Sequence, residues 1–395
     1  MRRTLIVANW KMNKTAAEAI AYVRQLTDLI HPDSIDMVIA PPFTALYAVR
    51  QAMGQSPAFA LAGQNLFWEE KGAYTGEISA LMLKEVGCRY VIIGHSERRQ
   101  WFGDRDENIK KKVSAALRHG LKPILCVGES LADREHGETQ AVVTGQLEQD
   151  LDGLSKENIA MVAIAYEPLW AIGSGRAATP AQAEEVHRVV RQTIASHWDH
   201  DAGERMRILY GGSVSPENAA DFLESSEVDG VLVGGACLDP ACFATIARFA
   251  EEQSVSANER RGVYMYTLAV IIHVIVCFLM IASILLQAGK GAEIGAAFGG
   301  SSQTVFGSRG PGTFLSKVTI GAAVIFMLTS LGLALLSKER TFSSTVIDLN
   351  KKEPTAPAPI LPQGSPDASK SDTSKSDASK LPATGDQTPA PATTH

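Results

Sequence analysis

The chain has 395 residues, a formal net charge of −6 and 20% charged residues. That length holds two or three folded units, and an acidic balance without a basic face excludes nucleic acid as a natural partner. The five cysteines, Cys88, Cys126, Cys237, Cys242 and Cys277, include no C-x-x-C pair; they exclude a disulfide framework and a cysteine-rich metal site, and read as small core residues in a reducing compartment.

The N-terminus, Met1-Arg2-Arg3, leads into an apolar run at 5–8 that is too short for a signal peptide, so the first unit is expected in the cytoplasm. From there to about residue 253, short apolar runs at 5–8, 37–40, 58–62, 90–93, 123–127, 161–165, 207–210 and 230–233 alternate with amphipathic stretches such as 15–29, 108–118 and 180–197. Short, β-branched-rich apolar runs predict strands buried on both faces of a parallel sheet. Eight such strands alternating with helices predict a (β/α)8 barrel of class α/β over residues 1–253. A doubly wound sheet is the competing architecture. Its one motif, Gly173-Ser174-Gly175-Arg176-Ala177-Ala178, is separated from its strand by Glu167-Pro168, which weakens a dinucleotide reading.

Three segments at strand ends carry the chemistry. The run 161–165 leads into Tyr166-Glu167-Pro168-Leu169-Trp170-Ala171-Ile172-Gly173-Ser174-Gly175: a carboxylate where a proline stops the strand, followed by a glycine-rich loop that reads as a lid. Asn9-Trp10-Lys11 closes the first strand, and Gly94-His95-Ser96-Glu97-Arg98-Arg99 follows another. Barrel enzymes place catalytic side chains at this end of their strands.

After a junction at 254–262 the composition changes. Two apolar runs, 268–286 and 318–336, each reach about 28 Å as helix, close to the ~30 Å hydrocarbon core, and predict a two-helix transmembrane hairpin within residues 263–340. His273, the only strongly polar residue of the first run, reads as a helix-interface or headgroup-level residue. Residues 341–395 are rich in Pro, Ser, Thr, Asp and Lys, with a crude repeat at Asp367-Ala368-Ser369-Lys370, Asp372-Thr373-Ser374-Lys375 and Asp377-Ala378-Ser379-Lys380; such a tail cannot bury a core and is expected to be disordered.

Taken together, the motifs of the first unit resemble the triosephosphate isomerase family, whose fold is the TIM barrel. They are Asn9-Trp10-Lys11-Met12-Asn13, Ala62-Gly63-Gln64-Asn65, Gly72-Ala73-Tyr74-Thr75-Gly76-Glu77, Gly94 to Arg99, Tyr166 to Gly173, Tyr210-Gly211-Gly212-Ser213-Val214 and Gly234-Gly235-Ala236. The resemblance implies interconversion of dihydroxyacetone phosphate and D-glyceraldehyde 3-phosphate through an enediolate, with no metal or organic cofactor. It implies Glu167 as the base, His95 as the electrophile, Lys11 as fixed positive charge and Asn9 as an orienting group. It assigns the phosphate to Ser213, Gly234, Gly235 and Gly173, with Glu97 paired to Lys11, and Trp170 and Tyr210 in support. It further implies a homodimer in which Thr75 reaches the partner subunit's site. The lid's C-terminal hinge, Arg176-Ala177-Ala178, departs from the Lys-Thr-Ala type often found there, which bears on opening kinetics.

The second unit resembles SecG, a subunit of the SecYEG preprotein translocase, through Leu285-Leu286-Gln287-Ala288-Gly289-Lys290-Gly291-Ala292 and the glycine-rich loop from Gly295 to Gly310. This implies contacts with SecY, SecE and SecA, a multi-pass location in the bacterial inner membrane and lipid around the spans. Family SecG exposes its loop to the cytoplasm, whereas an isomerase ahead of it must itself remain inside, so the expectation here is N-in and C-in. Alternatives are a Sec subunit carrying the barrel as passenger, or two neighbouring proteins joined by fusion or read-through, since Met265-Tyr266-Thr267-Leu268 looks like a natural SecG start.

Overall fold

The structure, a computed structural model, describes residues 2–54, 58–172, 177–297 and 314–349. The strands are β1 (Leu5–Asn9), β2 (Asp36–Ala40), β3 (Ala60–Gly63), β4 (Cys88–Ile93), β5 (Lys122–Val127), β6 (Ala163–Tyr166), β7 (Arg207–Tyr210) and β8 (Gly230–Val233). They form one closed parallel barrel in chain order, with β1 pairing both β2 and β8. Each strand falls on one of the apolar runs, as the (β/α)8 reading expects. β6 begins two residues later than its run, because Met161 still belongs to the turn that follows helix Lys156–Ile159.

Beyond the N-terminal ends of the strands, where Arg89 of β4 is exposed, both strand faces are buried, which is why the runs do not alternate with polar residues. One set, including Leu5, Val7, Tyr90, Ile92, Ala163, Ala165, Leu209 and Leu232, fills the barrel interior. The other, including Ile6, Ala8, Val91, Ile93 and Ile164, packs under the helices. Helix Ala16–Leu29 is opened by a Thr15–Glu18 capping box and helix Pro180–His197 by a Thr179–Gln182 box with Pro180 in its first turn; each box satisfies two backbone N–H groups that the helix leaves orphaned.

The last barrel helix does not stop. Asp239 Oδ1 accepts from the N–H groups of Ala241 and Cys242 at 2.8 Å each, and the helix it opens runs from Pro240 to Ala297. The segment 254–262, read as a junction, is therefore helical: it contains no proline, and its one glycine, Gly262, is too weak a breaker to end a helix held at both ends. Within this helix Gly262–Leu286 has a mean hydropathy of 3.0, and within helix Phe314–Leu349 the segment Ser316–Leu335 has 2.2. Both are long and apolar enough to cross a membrane, as the hairpin reading expects. His273 Nδ1 donates to Thr329 Oγ1 at 2.7 Å and its ring stacks on Phe326. Val276, Ser283 and Ala322 are buried, whereas Phe278, Leu285, Ile320 and Met327 are among the exposed apolar residues. The chain divides into two compact units, residues 1–333 and 334–395; of the second, the structure describes the end of helix Phe314–Leu349. That helix covers 341–349, which composition assigned to the tail; the rest of the tail, 350–395, lies outside the described residues.

Candidate active site

Strand register alone aims two of the predicted residues. Side chains alternate along a strand, so Leu5 and Val7, which point into the barrel, put Asn9 in the same phase; Ala163 and Ala165 do the same for Glu167. Both are buried, Asn9 at 5% and Glu167 at 1% exposure, at the C-terminal end of the barrel. Glu167 N–H donates to Val127 O at 2.7 Å, which extends the β5–β6 ladder by one residue before Pro168 ends it.

His95 arrives by a different route. Gly94 turns the chain out of β4 with φ 73°, a backbone region that favours glycine. His95 then caps helix Ser96–Trp101: its Nδ1 accepts from the Glu97 N–H at 3.2 Å. An accepting Nδ1 carries no proton, so in this arrangement the imidazole is neutral with its hydrogen on Nε2. That nitrogen lies 3.3 Å from Glu167 Oε1. The other carboxylate oxygen, Oε2, accepts from the Ser96 N–H at 2.8 Å.

Lys11 has φ 52°, one of two non-glycine residues with positive φ among those described. Such strain persists only where the surroundings over-determine it. Here Lys11 N–H donates to Asn9 Oδ1 at 3.1 Å, Gln64 Nε2 donates to Lys11 O at 2.9 Å and to Ala40 O at 2.8 Å, and Lys11 Nζ pairs with Glu97 Oε1 at 2.6 Å. Arg99, in contrast, turns away from the cavity centre: it donates to Gly94 O and Cys126 O and pairs with Asp106 and Asp150. It ties the ends of β4 and β5 together beneath His95.

These side chains line one cavity of about 1030 Å³, together with Gly211, Gly212, Ser213, Leu232, Gly234 and Gly235. The N–H groups of Gly212, Ser213 and Gly234 make no hydrogen bond to the described residues. Two of the glycines allow a close approach that a side chain would block: a Cβ at Gly211 would stand 2.9 Å from Glu167 Cγ, and one at Gly212 2.2 Å from the Tyr210 hydroxyl. A fixed ammonium, a cluster of backbone donors, a neutral imidazole and a buried carboxylate around one cavity suit proton transfer on a small phosphorylated carbonyl compound.

Gly173 lies outside the described residues, but both flanks of its loop are held. On the N-terminal side Glu129, fully buried, accepts from Tyr166 Oη at 3.0 Å and Trp170 Nε1 at 2.9 Å and pairs with Arg134, whose guanidinium covers the Trp170 ring. On the other side the Ala178 N–H donates to Tyr210 Oη at 3.3 Å, and the Tyr210 ring stacks on Phe222. Burial pushes the Tyr166 phenol above its ordinary range, with Glu129 adding to it, and pushes Tyr210 up to about 12. Thr75 is exposed, outside the cavity. Sequence reasoning missed Glu129 and the Ser96 N–H. Glu129 lies in no strand-end motif, and a backbone donor has no residue signature; the one available signal was the unmatched acid two residues after β5.

The class this defines is an aldose–ketose isomerase built on a (β/α)8 barrel. A family model described as Triosephosphate isomerase matches residues 4–250, and one described as Preprotein translocase SecG subunit matches residues 266–354. Triosephosphate isomerases of Caldanaerobacter subterraneus subsp. tengcongensis and Thermoanaerobacter pseudethanolicus are 51% and 50% identical over 249 residues, and that of Dictyoglomus thermophilum is 47% identical; each alignment covers 63% of this chain and all of the relative. The chain belongs to the triosephosphate isomerase family, fused to a SecG domain. The SecG domain, with its two apolar helices, makes the C-terminal part membrane-associated.

Proposed function

We propose that Glu167, His95, Lys11 and Asn9 interconvert dihydroxyacetone phosphate and D-glyceraldehyde 3-phosphate without a cofactor. The observation that carries this assignment is their convergence on one cavity, with Glu167 Oε1 buried and without a hydrogen-bond partner among the described residues. Glu167 takes a proton from one substrate carbon and returns it to the neighbouring one. To do so its carboxylate leaves the Ser96 N–H and turns towards the substrate. His95, donating through Nε2, moves the hydroxyl proton between the two oxygens of the enediolate. Lys11 Nζ stabilises the negative charge that develops there, and Glu97 and the strained backbone keep that ammonium in place. Asn9 orients the substrate oxygens.

The phosphate sits against Ser213, Gly234 and Gly235, where backbone donors face the cavity, and Gly173 adds a further N–H when the lid shuts. Binding energy from the phosphate then closes the lid and expels water, which protects the enediolate from losing phosphate. Trp170 and Tyr210, through the contacts described above, hold the two flanks of that lid. The barrel forms a homodimer in which Thr75 enters the partner subunit's site; Tyr74, Phe102 and Trp101, exposed at 43%, 66% and 70%, support an apolar contact there. Residues 1–253 form the isomerase in the cytoplasm, and residues 263–340 cross the bacterial inner membrane twice beside SecY and SecE, assist SecA-driven export and contact lipid on their exposed faces.

The test is Glu167→Asp. Withdrawing the carboxylate by one methylene should lower kcat about 10²-fold while KM changes little; unchanged turnover would remove Glu167 from the role of base.

A further inference from the structure

The helix that joins the two parts leaves the barrel at the end opposite the catalytic mouth. Arg248 Nη2 donates to Leu29 O, Glu251 Oε1 accepts from the N–H groups of Asp33 and Ser34, and Ser254 Oγ lies 3.1 Å from Thr4 Oγ. These partners lie at the C-terminal end of helix Ala16–Leu29 and just ahead of β1 and β2. From Ser254 to Gly262, where the apolar segment begins, the helix rises about 12 Å. That is about twice the ~5–7 Å depth of one headgroup layer, so the N-terminal rim of the barrel stands within a few ångströms of the lipid headgroups.

That rim contains a second cavity, of about 380 Å³, lined by Arg3, Arg50 and Arg89 with Asp36 as its one acidic residue. Two further cations border it. Arg207 pairs with Asp36 at 2.8 Å, and Lys122 lies over the ring of Tyr90, which lines the cavity. Asp36 is also paired to Arg3, so its single charge is shared between two guanidiniums. Among the described residues Arg50 makes one bond, to Gly54 O. Arg89 is exposed and has no hydrogen-bond or ion-pair partner among the described residues. Elsewhere on the rim Arg2 and Arg191 take up Asp229 and Glu227, and Glu251 is held by the backbone N–H groups of Asp33 and Ser34. On the connecting helix Glu251, Glu252 and Glu259 stand against Arg248 and Arg260. Nothing in the isomerase chemistry uses these cations, and an overall acidic chain does not gather them on one side by composition alone.

We infer that this pocket docks the barrel on the membrane by binding the phosphate headgroups of anionic lipid. The inference rests on the reading of residues 263–340 as membrane-spanning. Docking through this rim turns the catalytic mouth towards the cytoplasm.

The test uses the full chain in bilayers of phosphatidylcholine alone or of equal parts phosphatidylcholine and phosphatidylglycerol. An arginine-specific dicarbonyl reagent and peptide mass spectrometry read the modification rate of each guanidinium. Arg89 and Arg50 should react about fivefold more slowly in the anionic bilayer, the factor expected for one cation held at an anionic surface. High salt should remove that protection. Arg105, in the loop before helix Asp106–Arg118 on the catalytic side, should react alike in both. Arg89→Glu should abolish the protection of Arg50 with isomerase turnover unchanged, which shows that the barrel is still folded. Equal rates in the two bilayers, from a chain that resists alkaline carbonate extraction, would overturn the docking alone. A chain stripped from both bilayers by carbonate would overturn the membrane reading and the docking with it. Protection reproduced by inorganic phosphate in the neutral bilayer would assign the pocket to a soluble anion and overturn the lipid docking.

Discussion

Gly128 shows how narrowly the position of Glu167 is set. A Cβ there would lie 1.8 Å from the Glu167 carbonyl oxygen, and backbone cannot yield as a flexible side chain can. Gly128→Ala must therefore displace the end of β6, and with it the carboxylate. With Glu167 as the proposed base, the expected loss is about 10²-fold in kcat, the cost of a reacting group moved by about 1 Å; steady-state kinetics beside a thermal melt would separate this from a folding defect, and wild-type kcat would show that the end of β6 tolerates the shift. His187 makes a different demand. It is fully buried, its Nδ1 donates to Glu227 O at 3.0 Å, and its Nε2 has no partner among the described residues. Burial lowers its pKa to about 4, whereas the unfolded chain protonates histidine near 6.5. The unfolded state therefore takes up the proton first. The stabilisation is complete above about pH 6.5 and is lost as pH falls towards 4, by up to about 3 kcal/mol. Urea unfolding between pH 7.5 and 4.5, compared with His187→Gln, checks this: the variant should show a shallower fall, and parallel curves would mean that His187 is protonated in the folded state at no cost.

At the scale of elements, much of the barrel was legible because parallel strands buried on both faces leave unbroken apolar runs, and because Thr15 and Thr179 announce their helices as capping residues. Asn9, His95 and Glu167 were legible because they stand where strands end. The Glu129 network was not, since it joins residues 37 and 41 positions apart and no local pattern encodes such a meeting. The continuous helix from Pro240 was hidden for the opposite reason: composition changes along it while backbone conformation does not. In the hairpin, composition located the two spans but not what aligns them. Thr329 Oγ1 donates to Ile325 O and accepts from His273. Thr329→Val keeps the shape and removes the acceptor, leaving an N–H orphaned in an apolar setting. Pairing of the spans should weaken by about 1 kcal/mol, read as lower energy transfer between labels on the two helices in micelles; undiminished transfer would show that the stacked ring and the small residues suffice.

At the scale of the whole molecule, two families with unrelated work share one polypeptide, and a single helix belongs to both. The isomerase part needs nothing from the rest to complete its site in sequence terms, because its relatives are covered over their full length without it. In native cells an antibody against the barrel should find one band of 42.3 kDa in the membrane fraction. A shorter soluble band would mean that the two parts are separated after or during synthesis, and that the continuous helix is cut.

The pairing of β1 with β8, Leu5 against Gly230, sets a schedule for synthesis. The barrel cannot close until its last strand has been made, and then the ribosome needs only a few more seconds, at roughly 5–20 residues per second, to reach the start of the first span. Closure of the enzyme and delivery of that apolar segment to the membrane thus fall in the same short interval. A chain whose barrel closes slowly would arrive at the bilayer with its strand edges still open.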